Sequence, residues 1–276
     1  MRFAQARSAA LFGFTSVLLG AASSARANPR QLPFSYPAET LPVDGFEIEQ
    51  IVDLTPVHTQ DARGDERTFS RATLTTEFEY GITERLELAL YVQLADDPTV
   101  GSDAPLRFDG LKQRLRYRIS DPATWPIDVA LYGEVAELRY EFEAEAKVIL
   151  QRRQGPWRFV TNLWAEREFY YQGRREWVLH PTLGAAYEFG PHFSLGLEGW
   201  LVKELADDDE DEAVGSSDKY NAGPLGYLGP TLFAQGKGHG WISIGAYTRL
   251  TDFGRAAQVG DHYGRFWFRV MVGIEL

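Results

Sequence analysis

The chain has 276 residues, 44% hydrophobic and 24% charged, values that exclude collagen, coiled coil and wholesale disorder. It contains no cysteine, which excludes a disulfide scaffold, a thiolate zinc site and a cysteine nucleophile. The net charge is −11, with 28 basic against 39 acidic residues and no basic block, so nucleic acid is not an expected partner.

Arg2 and Arg7 precede an apolar run over 9–22, which ends in small residues and Ala25-Arg26-Ala27. A basic start, an apolar middle and an A-x-A site predict a cleaved secretory signal peptide over 1–27. The apolar run holds Gly13, Thr15 and Ser16, and it is shorter than the ~20 residues a membrane helix needs. No cysteine follows the expected cleavage site to carry a lipid anchor. No later stretch is apolar over a helical spanning length, which leaves an exported soluble β protein or a membrane β-barrel.

Residues 28–44 contain Pro29, Pro33, Pro37 and Pro42. Proline cannot donate to a strand ladder, so this stretch is expected as an irregular periplasmic lead-in. From 45 onward the pattern has period two. Ala72, Leu74, Thr76, Phe78 and Tyr80 fall on one face, and Arg71, Thr73, Thr75, Glu77 and Glu79 on the other. Side chains alternate faces along a strand, so one face is apolar and the other polar. Such segments recur at 45–54, 69–80, 86–95, 108–119, 127–137, 141–152, 157–170, 176–189, 193–204, 225–234, 241–251 and 264–276. Most are long enough to cross a bilayer as tilted strands, and an even number leaves both ends on one side. The connectors tend to alternate between short turns and longer polar loops, as in outer-membrane barrels, although two of the second set are short.

The last segment puts Phe266, Phe268, Val270, Val272, Ile274 and Leu276 on one face, and the chain stops there. It resembles the C-terminal strand recognised by the barrel-assembly machinery, with Leu276 where Phe or Trp is usual. Tyr80-Gly81-Ile82-Thr83-Glu84-Arg85-Leu86-Glu87-Leu88 resembles a strand–turn–strand segment of uncharacterised porin-like outer-membrane proteins. That motif marks an architecture and names no substrate. The resemblance implies an all-β fold: one transmembrane antiparallel β-barrel of about 12 strands over 45–276, in a Gram-negative outer membrane. Its partners would be outer-membrane lipid and lipopolysaccharide, the assembly machinery during biogenesis, and small solutes. A soluble exported β-sandwich or barrel also alternates, but with its apolar face inward. Here Glu and Arg recur on the other face of nearly every segment, as a wet lumen requires. Aromatics near segment ends, such as Tyr80, Tyr117, Trp157, Trp241 and Phe266, suit an interfacial girdle.

With the apolar faces toward lipid, the fourth segment aims Lys112, Arg114, Arg116 and Arg118 inward. The sixth aims Glu141, Glu143 and Glu145 inward, with Lys147 beyond them, and Glu134, Glu77 and Glu79 add to the acidic side. Facing cationic and acidic ladders across a water-filled pore would select ions. The same residues read equally well as lateral ion pairs that close the lumen, because barrels of about 8 strands fill and those of 16–18 stay open.

Asp207, Asp208, Asp209, Glu210, Asp211 and Glu212 form an acidic run. Their oxygens suit Ca²⁺ or Mg²⁺, but the spacing is not that of a calcium loop, and a solvated external loop accounts better for it. His192-Phe193-Ser194 resembles the His-x-Ser pairing of outer-membrane phospholipases, but it falls at a turn expected in the periplasm and lacks an orienting Asn or Gln. There is no G-x-S-x-G, H-E-x-x-H or Walker motif. No cofactor and no enzymatic activity are expected. The expected function is a porin-like channel for passive diffusion of small solutes, charged ones included. The alternative is a closed structural or surface-interaction barrel that works through its external loops.

Overall fold

The computed structural model describes residues 29–60, 66–96, 105–121, 124–206, 224–236, 238–250 and 264–276. The expected signal peptide and the acidic run 207–212 lie outside the described residues.

The strands are β1 Phe46–Gln60, β2 Glu66–Thr83, β3 Leu86–Ala95, β4 Arg107–Arg118, β5 Asp128–Leu138, β6 Glu141–Gln154 and β7 Trp157–Tyr170. They continue as β8 in two pieces, Arg175–Leu179 and Thr182–Gly190, then β9 Phe193–Ala206, β10 Leu225–Gln235, β11 Gly240–Arg249 and β12 Phe266–Glu275. Both pieces of β8 pair with β7 and with β9, so they form one strand. The break falls at His180-Pro181, where Pro181 has no N–H to give either neighbour. Every strand pairs antiparallel with the next, and β1 pairs with β12, which closes a twelve-stranded barrel. The Leu276 N–H bonds the Phe46 carbonyl at 2.9 Å, so the two ends of the barrel meet at one rim.

The twelve expected segments fall on the twelve strands. β1 and β2 run further than expected, to Gln60 and from Glu66. Pro56 lies inside that extension, opposite Ser70. The described pairing of β1 with β12 ends at Leu54, so Pro56 lies beyond that ladder.

Burial is inverted relative to a soluble protein. Leu90, Leu111, Leu163, Leu197, Phe268 and Val272 are exposed outward, whereas Arg114, Arg116, Glu47, Glu49 and Glu77 are among the largest fully buried side chains. An apolar outer band with a polar interior is the arrangement a bilayer demands of a closed sheet.

The structure differs from the expectation for 28–44. The described part of that stretch, from Pro29, is not a periplasmic lead-in. It enters the barrel, and Arg30, Leu32, Phe34, Ser35, Tyr36, Ala38 and Leu41 are all buried there. The prolines do rule out a ladder, but a segment that fills a lumen needs none.

Candidate functional site

The strap, as 29–44 is called below, leaves the lumen through a tight turn. The Gly45 N–H bonds the Pro42 carbonyl, the Asp44 N–H bonds the Gly81 carbonyl, and the Gly81 N–H bonds the Gly45 carbonyl, each at 2.9 Å. Asp44 has φ +62°, a left-handed conformation that Asp tolerates in turns, and it accepts a 2.6 Å hydrogen bond from the Tyr80 hydroxyl. A Cβ at Gly81 would lie 1.9 Å from the Pro42 carbonyl oxygen, so only glycine lets β2 take this turn against it.

Inside, side chains of the wall hold the strap's main chain. The Glu198 carboxylate of β9 accepts from the Phe34 N–H at 3.2 Å and the Ser35 N–H at 2.7 Å. Asn162 of β7 accepts from the Tyr36 N–H at 2.7 Å and donates to the Tyr36 carbonyl at 3.0 Å. Gln151 of β6 accepts from the Ala38 N–H at 3.2 Å, and Glu87 of β3 accepts from the Leu41 N–H at 2.8 Å. The Ser35 and Thr182 hydroxyls lie 2.8 Å apart.

The strap's side chains are seated as well. Leu32 packs with Val160 and Ala186 and lies over Gly184 and Gly196, where an added Cβ would come within 2.6 and 3.2 Å of its methyl carbons. Phe34 stacks on Trp200 with centroids 3.9 Å apart and meets Tyr247 and Trp267 edge-on at 5.2 and 5.6 Å. The Arg269 guanidinium lies 3.7 Å from the Phe34 ring centroid, a cation–π contact. Tyr36 sits among Arg30, Lys147 and Tyr132. Arg30 pairs with Glu49 at 2.5 Å and also with Glu77.

The residues expected to set selectivity occupy the wall around the strap. Arg114 lies 2.5 Å from Glu87, 2.8 Å from Glu79 and 3.3 Å from Glu77, and Arg116 lies 2.6 Å from Glu87. Lys112 lies 3.1 Å from Glu143 and 3.5 Å from Glu134, and Lys147 lies 2.6 Å from Glu145. Arg118 turns instead to the Glu84 carbonyl at 2.6 Å, and Glu141 faces Tyr170 across the β6–β7 pair. The charges therefore pair with wall neighbours, and the strap spans the space between opposite walls. Among the described residues, Glu47, Glu49 and Glu79 form a buried carboxylate group with donor atoms within 4.8 Å of one another. Glu49 is paired with Arg30 and Glu79 with Arg114.

Sequence reading missed Arg30, Leu32, Phe34, Tyr36, Gln151 and Asn162. The available signals were four large apolar residues at 32, 34, 36 and 41 among the prolines, and glycines on the inward parity of 184 and 196.

No family model matches this chain, and no curated protein matches it. Solved outer-membrane barrels do. The COG4313 outer membrane channel from Pseudomonas putida F1 superposes with a TM-score of 0.62 at 10% identity, over 91% of this chain and 100% of that one. An anion-selective porin from Comamonas acidovorans gives 0.36 at 9% identity, over 83% of this chain and 98% of that one. LpxR from Salmonella typhimurium gives 0.42 at 10% identity, over 83% and 99%. The similarity to the Pseudomonas channel shows the fold, a closed antiparallel β-barrel of the kind found in bacterial outer membranes.

Proposed function

We propose that this protein is an outer-membrane channel for small solutes, closed in the described state by its own N-terminal strap. The observation that carries this reading is how the lumen is filled. A permanently closed small barrel fills itself with side chains from its own wall. This wall is rich in Glu, Arg and Lys, and a separate segment supplies much of the filling.

The strap is built to be removable. Among the described residues, no main-chain hydrogen bond links 29–41 to a strand. Its removal would leave the ladder intact and expose charged side chains, which hold water rather than a dry void. The similarity to the Pseudomonas channel over 91% of this chain supports a transport role.

Ser194 is buried on the inner face with an unpartnered hydroxyl, while His192 is exposed in the turn before β9, so they do not form a nucleophile–base pair.

The test compares planar-bilayer conductance of the intact chain with that of a chain lacking 29–42. The expected result is rare, small openings for the intact chain and large, stable steps for the shortened one. A folded shortened barrel that conducts nothing would overturn the channel reading and move the search to the external loops.

A further inference from the structure

We infer that the strap marks a binding site for short peptides with a bent main chain and an aromatic side chain, and that the strap is its built-in competitor. The physiological sense of this site, as the place where a passing solute is read, rests on the channel reading above.

The first ground is Glu198. It is fully buried, and among the described residues it has no ion pair. Its acceptors are filled by the N–H groups of Phe34 and Ser35 and by the Tyr247 hydroxyl at 2.5 Å. An ionised carboxylate only accepts hydrogen bonds, and leaving it buried without donors is costly. When the strap leaves, two of these three donors leave with it, and water or a ligand has to replace them. Two successive N–H groups are what a peptide main chain offers. A hydrocarbon cannot supply them.

The second ground is Asn162. It both accepts from the N–H and donates to the carbonyl of one residue, Tyr36, at 2.7 and 3.0 Å. A side-chain amide bonded at two points to one residue reads the peptide unit itself. Glu198 and Asn162 together read the main chain of three consecutive residues, 34–36, without regard to sequence.

Side-chain selection comes from the cage of Trp200, Tyr247 and Trp267 around Phe34, which prefers an aromatic ring. Main-chain bonds that give affinity, with a pocket that gives specificity, are a general logic of peptide recognition.

The test uses the full chain with a protease site placed in the exposed turn at Val43 and Asp44, refolded, cut and washed free of its strap. A chain lacking 29–42 serves where the cut strap stays docked. Binding of a fluorescent peptide with the sequence of 29–42 is followed by anisotropy, separately from conductance. The probes for displacement are acetyl-Phe-Ser-Tyr-amide, acetyl-Ala-Ser-Ala-amide and phenylacetate. The expected result is saturable binding, displaced by the first probe, about tenfold or more less well by the second, and not by phenylacetate. Glu198→Gln and Asn162→Ala should each weaken binding about tenfold. A strap-free barrel that conducts but binds no peptide, or that treats the three probes alike, overturns the inference and leaves the channel reading standing. One that binds the peptide as expected but never conducts keeps the site and overturns the channel reading.

Discussion

Phe34→Ala should open the channel. Phe34 is 3% exposed, stacked on Trp200, edge-on to two further rings and capped by Arg269. Truncating a buried Phe to Ala costs about 3–5 kcal/mol in a core. The lower end applies here, because a polar lumen lets water into the space left behind. About 3 kcal/mol shifts the docked-to-undocked ratio of the strap roughly a hundredfold. The fraction of time spent open in a planar bilayer should rise by a similar factor until it saturates. The barrel's heat-shifted gel band should not change, because Phe34 takes no part in the strand ladder. Two measurements together decide: cleavage of the strap by added protease, and open probability. Faster cleavage with an unchanged open probability would refute the idea that the strap controls passage.

Further expectations follow from the same packing. Gly184→Val places a Cβ within 2.6 Å of a Leu32 methyl; overpacking of about 1–3 kcal/mol should raise protease access to the strap roughly tenfold or more. Gly81→Ala drives a Cβ to 1.9 Å from the Pro42 carbonyl oxygen, so limited proteolysis should show the turn at 42–45 opening while the barrel stays folded. Arg114→Ala strips the shared partner from Glu79 and Glu87. Breaking a buried network of this kind costs about 3–5 kcal/mol, visible as a lower urea midpoint, and an unchanged midpoint would mean that water already screens these charges. Arg116→Glu in the chain lacking 29–42 should shift the reversal potential in a salt gradient toward cation preference.

The barrel was legible because period two is imposed by the ladder itself. In 71–80 and 108–119 parity gives the face, and the inward positions of Glu77, Glu79, Arg114 and Arg116 follow directly. The strap was not legible for the same reason. It belongs to no ladder, so it has no period, and four prolines suggested exclusion from the fold when they excluded only strand pairing. Leu32, Phe34, Tyr36 and Leu41 were too many large apolar residues for a solvated lead-in, yet nothing local says which wall receives them. The receiving features lie far off in sequence: Phe34 and Glu198 meet across 164 residues. Inward glycines at 184 and 196 read as ordinary strand glycines until Leu32 is seen over them. The charge ladders showed a similar limit: parity put both signs on the inner face, but neighbour pairing depends on register, which alternation does not give.

The central claim is that the lumen conducts only when the strap undocks. Ser35 and Thr182 carry hydroxyls 2.8 Å apart, and the chain has no cysteine, so Ser35→Cys with Thr182→Cys introduces one pair of neighbouring thiols as a reversible lock. Single-channel conductance of that variant, oxidised and then reduced in the same bilayer, is the most direct test. The account predicts silence while oxidised and openings that appear on reduction. Equal conductance in both states, with the disulfide shown to have formed, would contradict it.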